Sequence, residues 1–165
     1  RERFLYSWAL ANNWAMVVLR PGQLPATAKV EAYTAMLADA ESRMNSASMD
    51  AAFATGLRSW PTNPDLLFAA GNHARLSNDP QTAADRYRAA LMHDPQHVGA
   101  RNNYADLLRE ESCFASALTQ IIAARRTVAP DSPIYTVIDT TAQEIKAAGK
   151  ANKLRDVGPL CAEFK

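Results

Sequence analysis

The sequence predicts an all-α chain built from helical hairpins, and three observations carry that prediction. Pro61, Pro95 and Pro130 recur 34 and 35 residues apart, a period that marks stacked helix pairs. Alanine outnumbers glycine 32 to 6, which favours helix and permits close helix–helix contact. Apolar positions within 66–76 and 114–128 recur at three- and four-residue spacing, not two.

Length and charge bound the rest. The chain has 165 residues, enough to bury roughly 70% of its unfolded surface in one core. With 48% hydrophobic and 21% charged residues it is no disordered segment. Eighteen basic against 17 acidic side chains give net +1, with no charge block of the kind that marks a nucleic-acid or membrane-surface partner. No run of 18 apolar residues offers a membrane span. The chain opens at Arg1 and carries no leader pattern, which reads as an excised piece of a longer protein.

Taken in order, residues 1–26 stand apart from the periodic region. The run 14–19, Trp-Ala-Met-Val-Val-Leu, closed by Arg20-Pro21-Gly22, suits either a buried strand ending in a turn or a helix packed on the first hairpin. The hairpins then fall into register as 30–63, 64–97 and 98–131, within a repeat region spanning 27–149. Asn63-Pro64-Asp65 supplies an N-cap, a proline at the first helical position and an acid in the first turn. Asp79-Pro80 and Ser132-Pro133 repeat that pattern. A capping helix is expected over 133–149, with Asp139, Gln143, Glu144 and Lys146 facing solvent. The tail 150–165 has no clear period; it packs through Leu154, Val157, Leu160 and Phe164 or is partly loose.

Small and large residues alternate at matched places in the second and third units. Gly71 and Ala105 sit midway along the first helix, and Ala83 and Ala117 open the second. Tyr87 and Ile121 follow, then Ala90 and Ala124. Small residues let paired helices approach, and large ones wedge between them. This pattern resembles the tetratricopeptide repeat, which implies a right-handed solenoid of about three hairpins plus the cap. In the first unit Leu37 stands at a small position, so that unit is a degenerate copy with shifted helices.

A second resemblance concerns the start. Ser7-Trp8 and 14–26 are similar to the end of a papain-like cysteine peptidase domain of the bacteriocin-processing type, known in bacterial proteins to be followed by such repeats. The stretch 56–61, Gly-Leu-Arg-Ser-Trp-Pro, is similar to their first repeat junction. The resemblance implies a peptidase–repeat fusion whose catalytic cysteine and histidine precede Arg1, in a bacterial cytoplasm or periplasm.

Within the chain itself no catalytic constellation emerges. Cys113 lies at a turn, and His73, His93 and His97 all precede it, opposite to the family's order; a turn or buried cysteine is the expected role. Whether Cys113 and Cys161 pair is left open. His93 and His97 have metal-ligand spacing, but Pro95 breaks the helix between them, so both are expected at the surface and no metal or cofactor is expected. The implied function is a scaffold for a protein or peptide, including the upstream domain, with a purely structural role as the alternative. Its concave ladder places Thr34, Phe68 and Asn102 on one line, Ala38, Asn72 and Asp106 on the next, and Glu41, Arg75 and Arg109 on the third. Of these, Phe68, Asn72, Arg75, Asn102, Asp106 and Arg109 are the candidate peptide-binding residues. Arg75 is expected to pair with Glu41 or Asp106.

Overall fold

The computed structural model describes residues 46–162 together with Val30, Tyr33, Thr34 and Leu37, which are helical. Six helices follow in order: α1 (Ser46–Ser59), α2 (Pro64–Leu76), α3 (Pro80–His93), α4 (Val98–Glu110), α5 (Phe114–Thr127) and α6 (Pro133–Gly149). Among the described residues there is no β-strand, so the described part of the chain is all-α. The segment 14–19 lies outside the described residues. No described helix is long and apolar enough to cross a membrane.

Helix starts follow the local chemistry. Asn63 accepts from Leu66 N at 2.9 Å and Asp79 from Thr82 N at 3.0 Å, each just before a proline that has no N–H to lose. Ser132 has the extended backbone of a cap, yet its hydroxyl makes no capping bond, so the third instance of the pattern is only partial. His97 caps α4 instead of facing solvent: its Nδ1 accepts from Ala100 N at 3.0 Å.

The pairs α2–α3 and α4–α5 pack most extensively, and α6 lies against α5 and α4. Their turns are the same. Asn78 and Ser112 both take positive φ, 59° and 60°. The next residue's N–H reaches back to the last helical turn, Asp79 to Ala74 O and Cys113 to Leu108 O. Between paired helices, Tyr87 lies on Gly71 so closely that a β-carbon there would sit 2.6 Å from its ring. In the first unit the relation is inverted: Leu37 is buried at the small position, and Gly56 makes room for Tyr33. Tyr33, Leu37, Met49, Ala52, Phe53, Leu66 and Ala70 form one core cluster. The larger cluster runs from Ala83, Tyr87 and Tyr104 through Leu108 and Ile121 to Ile138, Ile145 and Cys161. Each fully buried Leu or Ile there contributes about 1.5–3 kcal/mol.

The segment after α6 folds back on the α4–α5 turn. Cys113 and Cys161 form a disulfide with Cα atoms 5.4 Å apart, resolving the pairing that the spacing left open. Leu160 packs against the core, whereas Val157 is exposed. Phe164 lies outside the described residues.

Candidate functional site

The helices α2 and α4 lie side by side, and polar side chains cross between them. Arg75 Nη2 donates to Asp106 Oδ2 at 2.5 Å and to Glu110 Oε1 at 2.6 Å. Arg109 grips the other oxygen of the same carboxylate, through Nε at 2.9 Å and Nη2 at 2.6 Å. Asn72 Oδ1 accepts from the Tyr87 hydroxyl and from Asn103 Nδ2, both at 2.8 Å. The contacts run diagonally across the ladder, one helical turn off its rungs, because neighbouring helices bring residues 31 apart face to face. Of the expected partners for Arg75, Asp106 is used; Glu41 lies outside the described residues, as does Ala38.

The electrostatics follow from this closure. Burial raises the Asp106 carboxyl, but hydrogen bonds from Arg75 and Arg109 outweigh it and hold the group below its ordinary value. Burial lowers the Arg75 guanidinium, and the bonds to Asp106 and Glu110 more than reverse that. Two guanidiniums face two carboxylates, so the strip is neutral and displays little field. Burial pushes the Tyr87 phenol up to about 12.

Phe68 stands at the end of this strip, its ring 4.9 Å from that of His97 and 6.2 Å from that of Tyr87. His97 Nε2 lies 3.2 Å from Asp65 Oδ1, at ion-pair distance but without hydrogen-bond alignment. Asn102 donates to Asn103 Oδ1 at 3.4 Å, while its own Oδ1 is buried and meets no donor. Thr34 bonds its own helix, to Val30 O at 2.9 Å. The six candidates therefore divide. Arg75, Asp106 and Arg109 meet directly, Asn72 joins through Asn103 and Tyr87, and Phe68 and Asn102 flank them.

Sequence reasoning missed three members: Asn103, Glu110 and the Tyr87 hydroxyl. A signal existed for the first two, since each sits one position beyond a ladder residue. Tyr87 carried none, being assigned to packing.

Two hollows lie elsewhere. One of about 380 Å³ opens between α3, α4 and α5, lined by Arg88, Met92, Arg101, Tyr104, Ser116 and Gln120. Arg101 is already engaged there, by Gln120 at 2.8 Å and by Pro95 O at 2.7 Å. The other, about 300 Å³, lies beside α1, where His73 meets Asp50 at 3.0 Å and stacks on Phe53. Among the described residues no three His, Cys, Asp or Glu side chains converge to hold a metal. Cys113 is disulfide-bonded and fully buried, which leaves it no thiol for nucleophilic chemistry in this state. Comparison with protein-family models and with curated proteins found no match for this chain.

Proposed function

We propose that residues 27–149 form a right-handed solenoid of tetratricopeptide type, about three hairpins capped by α6, that serves as a protein- or peptide-binding scaffold without a catalytic site of its own. The observation that carries this reading is the side-chain lattice joining α2 to α4, from Asn72 and Asn103 to Arg75, Asp106, Arg109 and Glu110. A ligand laid along it meets side chains that are already immobilised, which lowers the ordering cost of binding. Because the lattice is charge-neutral, recognition would rest on backbone hydrogen bonds and on Phe68 rather than on a basic clamp. Binding would then depend only weakly on salt. Asn102, with an unused acceptor, is the residue best suited to meet a peptide N–H after a side-chain turn. Fusion to a papain-like peptidase domain is supported by the sequence alone, through residues 1–26 and 56–61.

One observation favours the structural alternative: Arg75 and Arg109 are both spent on Asp106 and Glu110, as they would be in a strip that only holds helices together. A displayed library of extended peptides, selected on the full chain, separates the two. The scaffold reading expects selected peptides to lose roughly 0.5–1.5 kcal/mol of affinity on Asn102→Ala, and to be indifferent to Arg86→Ala and Arg88→Ala on α3. No selectable peptide would favour the structural role, whereas dependence on Arg86 and Arg88 alone would move the site to the outer face on α3 and overturn the reading.

A further inference from the structure

The second helices of the two main hairpins start at equivalent places and are capped by different means. In α3 the cap is local, with Asp79 accepting from Thr82 N. The matching residue before α5 is Cys113, which offers no capping bond. Its task passes to Asp156, 40 residues beyond Ser116: Oδ1 accepts from Ser116 N at 3.1 Å and Oδ2 from the Ser116 hydroxyl at 2.7 Å. Ser116 stands third in its helix, as Thr82 does in α3.

Asp156 is delivered there by a short strap. Val157 N and Gly158 N donate to Ser112 O at 3.1 and 3.3 Å. Gly158 runs so close to the Glu111 carbonyl that any β-carbon would overlap it. Three residues later the Cys113–Cys161 bond ties the strap to the very residue whose cap it replaces. The residues flanking Asp156 are largely exposed, among them Lys153, Arg155, Val157 and Pro159. Besides the disulfide, these bonds and the packing of Leu160 against the core hold the strap, a balance that chain entropy tips toward release once the covalent tie is gone.

We propose that residues 154–162 form a redox-sensitive latch: the disulfide holds Asp156 on the N-terminus of α5, and its reduction releases strap and cap together. The reductant is a dithiol. One of its thiolates attacks the Sγ of Cys161, the less buried residue of the pair, and the Cys113 sulfur leaves with the bonding electrons and takes up a proton. The reductant's second thiol then displaces Cys161, leaving two protein thiols and one oxidised dithiol. Disulfides persist in oxidising compartments and are opened by cellular dithiols, so the latch is closed in the former and open among the latter.

The test uses the full chain, oxidised or treated with dithiothreitol under native conditions, with thiols counted by mass after alkylation. Trypsin cleavage at Lys153 and Arg155 reports the strap, and amide exchange in the first turn of α5 reports the cap. Reduction should speed strap cleavage on the order of tenfold or more. First-turn exchange should rise roughly fivefold, as for a lost N-cap. Cys161→Ser should reproduce both effects without reductant. Adding Cys113→Asp to it supplies a local cap, so exchange in α5 should fall back while the strap remains cleavable. An unchanged cleavage rate with two thiols present, a bond that no native reduction opens, or exchange that Cys113→Asp fails to restore would each overturn the latch. The wild-type reduction needs no variant to fold.

Discussion

The hairpins α2–α3 and α4–α5 share a register and a turn but close differently. Asn78 and Ser112 adopt the same left-handed backbone, and the following N–H makes the same reach to the helix before it. From that point the first hairpin finishes with its own residues: Asp79 caps α3, and Tyr87 packs on Gly71 while its hydroxyl holds Asn72. The second wedges with Ile121, which has no polar tip, and borrows its cap from Asp156. Backbone geometry thus decides where the chain turns, whereas the orphan N–H groups of the next helix accept any oxygen the fold can deliver.

The largest effect expected is at the wedge. Tyr87→Ala should cost about 3–5 kcal/mol in denaturant or thermal unfolding and Ile121→Ala about 2–5. A loss below about 1 kcal/mol at either site would show that the two hairpins are not packed alike.

Alkaline titration isolates the polar tip that only the first wedge has. The Tyr87 phenol titrates higher in the folded state, near 12, than its ordinary 10 because burial disfavours the phenolate. Its stabilisation is therefore complete below pH 10 and is lost as pH rises from 10 toward 12, on the order of 2 kcal/mol. Tyr87→Phe should shrink that loss, leaving the parts due to Tyr104, which burial also raises to about 12, and to Tyr33, which burial raises further. An unaltered alkaline limb would mean that Tyr87 is not the group responsible. At the acid end Asp106 works with opposite sign: its contribution, present at neutral pH, disappears as pH falls below the ordinary carboxyl range through its lowered value.

Overpacking should be next in size. Gly71→Leu and Ala90→Leu each drive a side chain into an occupied contact and should cost ~1–3 kcal/mol by denaturant midpoint. The caps follow. Asp79→Ala should cost about 1 kcal/mol whether or not the disulfide is intact, and Asp156→Ala a similar amount only while it is intact. Equal behaviour of the two caps under reductant would erase the contrast between hairpins. The smallest effect belongs to glycine in the shared turn, where alanine should cost as much as a lost cap. Asn78→Gly should lie within about 0.5 kcal/mol of wild type, and Asn78→Ala should cost roughly 1 kcal/mol because alanine resists the left-handed backbone. The turn position is therefore less tolerant of alanine than its exposure suggests.

What could be read from the sequence was mostly local or periodic. Asn63-Pro64 and Asp79-Pro80 mark helix starts because the capping oxygen and the donor it satisfies lie three residues apart. The Gly71–Tyr87 contact follows from small and large residues at matched places. The pairing of Arg75 with Asp106 was legible to the same degree, whereas its second partner Glu110 needed the true offset between helices. His97 as a cap was not legible, since an imidazole seldom serves one and its spacing from His93 suggested another role. Least legible was the strap. Nothing local in 150–162 announces a capping carboxylate, and the separation of 48 between Cys113 and Cys161 carries no periodic trace of their bond.

That bond also makes α5 and α6 parts of a closed ring, a fact with a mechanical side. Tension applied between the two ends of the described chain would bypass everything inside the ring. The helices α1 to α4 could be drawn out in turn, but extension would halt at Cys113 with α5 and α6 slack and unloaded. The hidden contour between sulfurs 48 residues apart amounts to roughly 160 Å. A single-molecule pull would therefore come up short by about that length, and adding a reductant would return it.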